Sequence, residues 1–404
     1  MKNLPVFSLA FFLIVASCKK DAEPANQQLL PVLTTVAASD ITTSTIRSGG
    51  VVTSDGGAAI TTKGTCWSIH PEPTISDSKT NDGSGTGTFV SNITGLTAST
   101  TYYLRAYATN QAGTGYGNSI TCTTAPEIMI DYLGQSPPGN TPIPFAHHIF
   151  SNFPLHSCPA FSPCGNWVFW SSFNFELTGN YKLQLWCMKR GESGWSNPMV
   201  ADFLLDGIGD SPIFSPDGEF LFFLSGVPVN PPNNKENLYC SKKTENGWSS
   251  PTRIGGEFDE YIFHWQVTQA ANGNLYLSGD TLNQNAILER DIYLVPKSGA
   301  GFGGFVNLGS AVNLKNEIQC TPWIAPDERY LIFSRGGNDE FSDLYICYKN
   351  PDGNWTSATA MTGINSQFHD LNPIVTPDGK YLMYTSEMDG GPYWVDASVI
   401  QQYK

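Results

Sequence analysis

Between residues 158 and 386 the chain alternates short apolar runs with short polar turns in a fixed order. The stretch Ser211–Gly226 (SPIFSPDGEFLFFLSG) is an apolar run, a Pro-Asp-Gly turn and a second apolar run. The same order returns at Cys158 (CPAFSPCGNWVFWSS), Thr321 (TPWIAPDERYLIFSR) and Asn372 (NPIVTPDGKYLMYTSE), with a degenerate copy at Gln266 (QVTQAANGNLYLSGD) that has lost both prolines. Counted on the turn position (Gly165, Gly218, Gly273, Glu328, Gly379), the spacing is a little over fifty residues. A period of that size marks an array of supersecondary units. A second marker keeps the same phase, as in LQLWCMKRGESGWSNP from Leu183, NLYCSKKTENGWSSP from Asn237, DIYLVPKSGAGFGGF from Asp291 and DLYICYKNPDGNW from Asp343.

Each unit therefore reads as strand, tight turn, strand, variable loop, strand, second turn and short outer strand, which is a four-stranded antiparallel blade. The turn chemistry is explicit: proline presets φ at the first corner, aspartate accepts from nearby amides, and glycine takes the positive φ. Glu328, in place of that glycine, predicts a different turn. The run Phe220–Leu224 is apolar throughout, as expected of a strand covered on both faces. Five hairpins predict five blades ringed around an axis, an arrangement that leaves only short edges. The last unit ends without an outer strand, so residues 128–133 are expected to supply it and close the ring, and Tyr393–Tyr403 is expected to be its third strand.

Residues 33–126 follow another pattern, rich in Thr, Ser and Gly with alternating strands, and GLTASTTYYLRAYA places Leu96 six residues before Tyr102. With the stretches KGTCWS at Lys63 and DGSGTGTF at Asp82, this segment resembles the fibronectin type III-like modules of bacterial surface proteins. The resemblance implies a sandwich with a tyrosine corner, in which a phenol bonds nearby backbone, and a spacer role. Ala98 stands where proline is usual, and Trp67 falls on a later strand than in the animal pattern. The hairpins, together with the lead-in YLGQ at 132–135, resemble bacterial WD-like repeat propellers related to the Tol-system periplasmic protein. That resemblance covers about residues 128–404 and implies fold more than function. Its usual Pro-Gly is replaced here by His147-His148, which reads as a loop feature.

The fold class expected is thus all-β, an immunoglobulin/fibronectin-like sandwich followed by a five-bladed β-propeller, with domains at 1–17, 18–32, 33–126 and 127–404. The first segment, MKNLPVFSLAFFLIVASCKK, has a lysine, a short apolar run and small residues leading into Cys18. It resembles the signal peptide and lipobox of bacterial lipoproteins, which implies that Cys18 is acylated, palmitate included, and becomes the N-terminus, with residues 18–32 a flexible tether. The following KKDAE resembles a surface-export signal and implies an outer membrane lipoprotein on the cell surface, or otherwise one on the periplasmic face.

Composition changes the picture only by exclusion. The 404 residues include 39 Gly and 27 Pro, with 14% charged residues, a net charge of −14 and a pI near 4.8. An acidic chain with no basic stripe is not built to neutralise phosphates, so no nucleic acid is expected as partner. The partners expected are the membrane through the lipid, a polysaccharide, or envelope proteins. No Cys-x-x-Cys, metal-ligand spacing, GxSxG elbow or HExxH helix occurs, and DGSGTG lacks the alternating ligands of a calcium loop, so no metal and no cofactor is expected. The eight cysteines after Cys18 read as small buried apolar side chains.

Candidate chemistry lies at the loop that leads into each innermost strand, because in a propeller those loops surround one end of the central channel. The residues there are His156, Asp210, His264, Glu317, Gln319, His369 and Asp370, with Trp265 and Trp323 on the strands. Acids, imidazoles and indoles drawn from five distant stretches point to a ligand-binding funnel, for example for sugars, whose rings stack on aromatics and whose hydroxyls bond to carboxylates. A carboxylate pair would allow a glycoside hydrolase or polysaccharide lyase instead. A protein–protein scaffold of the envelope is the third reading. Asp291 and Asp343 recur with the blade period and read as structural.

Overall fold

The computed structural model describes residues 28–125, 130–175, 183–204, 207–226, 237–281, 290–336, 341–388 and 390–404, the side chains of 260–264 and 280–281 excepted. Residues 15–18, with the expected lipidation site Cys18, lie outside the described residues. The chain divides into two compact units, Met1–Glu127 and Ile128–Lys404. Among the described residues no helix is long and apolar enough to cross a membrane.

In the first unit one sheet pairs Val32–Ser39, Ile46–Ser54 and Gly87–Ile93, while the other is built on Thr62–Ser68 and Thr101–Asn110 with Ser78–Lys79, Gly113–Tyr116 and Ile120–Thr123. Three strands against a sheet around the C and F positions is the fibronectin type III order. Inward side chains such as Leu33, Val52, Phe89, Ala106 and Ala108 form one core cluster, and Ile46, Ile93, Leu96, Tyr102 and Leu104 form another. The tyrosine corner is present: the Thr97 N–H donates to Tyr102 Oη at 3.0 Å. In the DGSGTG stretch the Asp82 carboxylate accepts from the hydroxyls of Thr80 and Ser91, which accounts for it as a loop anchor.

The second unit has five blades. The first pairs Ala160–Phe161, Trp167–Phe173, Leu183–Gly191 and Met199–Val200. The second, third and fourth begin with Asp210–Phe214, Tyr261–Gln269 and Ile318–Ile324, and each has three further strands. The fifth comprises Asp370–Val375, Tyr381–Ser386, Gly391–Asp396 and Ile143–Pro144. The ring closes by joining both ends of the unit in one blade, but through a different segment from residues 128–133. Ile143 and Pro144 pair with Trp394 and Tyr393. Residues 130–133 contribute side chains rather than a strand: the Tyr132 ring meets Phe161, Tyr381 and Trp394 at 5.1, 5.2 and 5.8 Å, and its hydroxyl donates to Asp378 at 2.8 Å. Trp394 is fully buried, also against Phe145, and a side chain of that size in a core typically stabilises by about 3–5 kcal/mol relative to alanine.

Two further expectations are corrected. The C-terminal stretch leaves the fifth blade at Asp396 and continues as a 3-10 helix over Ala397–Tyr403, begun by the Asp396 carboxylate accepting from the Ser398 N–H at 2.8 Å. Its Ile400 carbonyl accepts from Tyr348 Oη at 2.6 Å, which ties the fifth blade to the fourth. The turn at Glu328 is not a different turn. Its φ of 56° matches the left-handed glycines Gly165, Gly218, Gly273 and Gly379, and its N–H bonds the carbonyl three residues back as theirs do. A non-glycine residue there is strained, and the side chain compensates by accepting from Asn274 and Tyr276 and pairing with Lys349, all within 2.9 Å. Burial alone would raise the Glu328 pKa, but these three bonds together hold it below the ordinary glutamate value.

The conserved phase of Ser/Thr-Pro-Asp-Gly also has a local cause. In the first, second and fifth blades the serine or threonine hydroxyl (Ser162, Ser215, Thr376) accepts the N–H of the residue five positions on, at 2.9 to 3.0 Å. These three hairpins thus fix their register with bonds internal to the hairpin.

None of the eight described cysteines is bonded to another, and six are buried. Burial pushes the thiol of Cys66 up to about 11 and those of Cys187, Cys320 and Cys347 up to about 12, so they stay protonated and pack as small apolar groups.

Candidate functional site at the channel mouth

The innermost strands share a distortion that decides where the candidate residues point. In the second to fifth blades the register shifts within that strand, at Asp210/Ile213, Phe263/Val267, Cys320/Trp323 and Leu371/Ile374. The bulged residues are Ser211, Trp265, Thr321 and Asn372, with φ of 48°, 65°, 48° and 53°. A bulge re-aims the side chains on either side of it. Here it turns polar groups from one blade into the next.

The outcome is a chain of bonds around the axis. Between the first and second blades, Asp210 Oδ1 accepts from Ser171 Oγ at 2.6 Å and lies 2.9 Å from His156 Nδ1. The third and fourth are joined by the Ile324 N–H to Thr268 Oγ1 at 3.0 Å, and the fourth and fifth by the Asn372 N–H to Thr321 Oγ1 at 3.3 Å. Asn372 Nδ2 then reaches the His156 carbonyl of the first blade at 3.0 Å. One bond skips a blade: Gln266, which replaces the lost proline of the degenerate repeat, donates its amide to the carbonyls of both Pro322 and Pro373 at 3.1 Å. Gln266 thus ties the third blade to both the fourth and the fifth at the level of the prolines.

The residues singled out from the sequence therefore divide. His156 and Asp210 are brought together, the imidazole partly exposed and the carboxylate buried. Gln319 is fully buried and donates to the Leu314 carbonyl at 3.2 Å. Asp370, also fully buried, accepts from the Ser366 N–H and hydroxyl at 2.6 and 3.2 Å. His369 Nδ1 accepts from the Ser342 N–H at 2.9 Å. Trp323 packs in the core beside Tyr330, and Glu317 is partly exposed near the buried Arg335 guanidinium. Trp265 is partly exposed, with the Arg290 guanidinium 4.8 Å from its ring centre. The His264 side chain lies outside the described residues. Asp210 and Asp370 are thus internal latches, the first across a blade junction and the second on the loop into its own strand, while Glu317 stays partly exposed. Among the described residues no group of three or more His, Cys, Asp and Glu is arranged to hold a metal.

What the mouth does expose is aromatic. Antiparallel pairing brings the end of each second strand to the end of the ring where the innermost strand begins. There sit Phe173, the last residue of its strand, Phe175 just after it, and Phe341 just before the third strand of the fourth blade, exposed by 38%, 71% and 58%. They are the only exposed phenylalanines among the described residues. Phe173 and Phe175 are nearly parallel (10°) with centres 5.9 Å apart, and the His156 ring stands on Phe173 at 5.1 Å. Phe341 meets His369 at 5.0 Å and Phe368 at 6.3 Å. The sequence carried a signal for this, since Phe-Asn-Phe is out of place in a polar loop, but only the blade topology brings the loops to one end.

Burial raises the Asp370 pKa above the ordinary aspartate value of 3.8, outweighing the Ser366 bonds. The folded state then holds this proton more tightly than the unfolded one, so Asp370 lowers stability as pH rises from the ordinary aspartate range through its folded value. Asp370→Asn is expected to remove that contribution: in denaturant unfolding the wild type gains on the variant as pH falls from neutral into the acid range. A constant difference across that range would show that the buried carboxyl titrates as in water.

No protein-family model matches the sequence, and no curated protein does. Solved structures similar to the chain include TolB from Acinetobacter baumannii, at 13% identity over 72% of this chain and 59% of that one, with a TM-score of 0.40. A human sixth fibronectin type III domain, from fibronectin type III domain containing protein 3, is 21% identical over 26% of this chain and 92% of its own, with a TM-score of 0.18. The Pseudomonas aeruginosa periplasmic gluconolactonase PpgL is 10% identical over 82% and 90%, with a TM-score of 0.36. The chain spans 59% of the TolB length and 50% of a puromycin hydrolase that it also resembles. At these scores the likenesses add nothing to the all-β architecture, which rests on strand order.

Proposed function

We propose that this chain is a lipid-anchored envelope binding protein whose propeller takes a glycan at the channel mouth, the sandwich serving as a spacer in the sequence between anchor and propeller. The observation that supports it is the gathering of the exposed phenylalanines at one end of the ring, with a nearly parallel pair at Phe173 and Phe175. Exposed aromatic faces cost solvation unless a ligand covers them, and they suit the apolar face of a sugar ring. Variable loops on a rigid scaffold are also where binding groups are normally placed. The hydrolase reading has no comparable support, because Asp210 and Asp370 are both buried and latched in different blades.

A glycan array probed with the mature chain tests this. Phe175→Ala should weaken the best-bound glycan by about tenfold or more, as loss of a central aromatic contact does at other interfaces, without lowering the melting temperature. Unchanged binding would remove the site from this rim.

The anchor rests on the sequence around Cys18. In cells fed radiolabelled palmitate, Cys18→Ala should abolish labelling of the chain; label retained by the variant would refute the lipoprotein reading.

A further inference from the structure

The third blade breaks the repeat in four ways that coincide at the mouth. Its prolines are lost, and Gln266 in place of the first reaches the carbonyls of the next two blades. Its bulge residue is Trp265, where the second, fourth and fifth blades place Ser211, Thr321 and Asn372. Holding an indole at a φ of 65° is costly, and asparagine is among the residues that tolerate this region best. Finally, Arg290, at the start of the third strand, lays its guanidinium over Trp265, while its backbone carbonyl accepts the Gln319 N–H of the fourth blade at 3.0 Å.

Arg290 is partly buried, yet among the described residues no carboxylate is within ion-pair reach of it, and its Nε is a buried donor without an acceptor. Arg335 also lacks a carboxylate, but it is buried and its guanidinium donates to the Val312 carbonyl at 2.6 Å, whereas Arg290 is partly exposed. A guanidinium over an indole still has N–H groups to offer a carboxylate. A bulky indole at the positive-φ bulge of this blade, beside an unneutralised cation, fits a site completed by its ligand.

We propose that Arg290 and Trp265 form a carboxylate-binding subsite of the mouth, and that the glycan bound there is an acidic one, carrying uronate residues. This rests on the glycan reading above and narrows it. The carboxylate pairs with the Arg290 guanidinium, the sugar ring packs beside the indole, and Gln266 fixes the floor beneath them.

The test is titration calorimetry of the mature chain with tetragalacturonate, with its methyl ester, and with the neutral glycan bound best on the array. The wild type should bind tetragalacturonate at least about tenfold more tightly than the ester, the scale expected when a charge-assisted hydrogen bond is lost. Arg290→Gln should erase that preference and leave binding of the ester as it was. Trp265→Asn, which installs the residue of the fifth blade at this bulge, should weaken both while the melting temperature holds or rises; a fall in melting temperature would show that the indole is there for the fold. Equal binding of acid and ester by the wild type, or a preference that survives Arg290→Gln, overturns the carboxylate subsite and leaves the glycan reading intact. Binding of the neutral glycan alone has the same meaning. If no glycan binds, both readings fall together; if the neutral glycan binds and Phe175→Ala weakens it while acid and ester bind alike, only the carboxylate subsite falls.

Discussion

The second unit depends on ring closure. Blades expose apolar faces and open strand edges unless each has a neighbour, and the last neighbour exists only because Ile143 and Pro144 return to pair with Trp394 and Tyr393. Two paired residues are a short seam for a sheet. The aromatic cluster of Tyr132, Phe145, Phe161, Tyr381 and Trp394 reinforces it with desolvated area that the pairing alone does not supply. With the circle complete, the bulged inner strands face their neighbours, and the polar groups at the axis find partners across blade boundaries.

That geometry also explains why acids near the axis do not make an acidic site. Asp210 binds Ser171 and His156 across one junction, and Asp370 holds the loop at Ser366 that leads into its own strand. Each carboxylate removed from water needs such donors to be tolerated, and donors so committed are not offered to a ligand. What remains for recognition is the exposed side chains around those latches: Phe173, Phe175 and Phe341, and the Arg290 guanidinium over Trp265.

Much of this was legible in the chain. The repeat announced the blades because Pro-Asp-Gly turns and doubly apolar strands leave a periodic trace, and Leu96 with Tyr102 announced the corner of the sandwich. The closing strand was not legible at Ile143–Pro144, since two residues have no periodicity and the choice among nearby segments is made by tertiary packing. Glu328 was misread because local propensity opposed a left-handed glutamate, and the bonds that rescue it come from Asn274 and Tyr276, more than fifty positions away. A bulge cannot be seen without the pairing that defines it, so the inward turn of Asp210 and Gln319 was hidden. Phe173, Phe175 and Arg290 were visible as residues and not as neighbours.

The central claim is that recognition belongs to the exposed loops at the mouth while the hairpin turns only build the ring. Hydrogen–deuterium exchange on the full chain, with and without the glycan it binds best, tests this directly. The account predicts added protection around residues 173–175, 265, 290 and 341 and in the loop at 366–369, with the turns at 163–165, 216–218, 326–328 and 377–379 unchanged. Protection at those turns, or in the sandwich at 33–125, would contradict it.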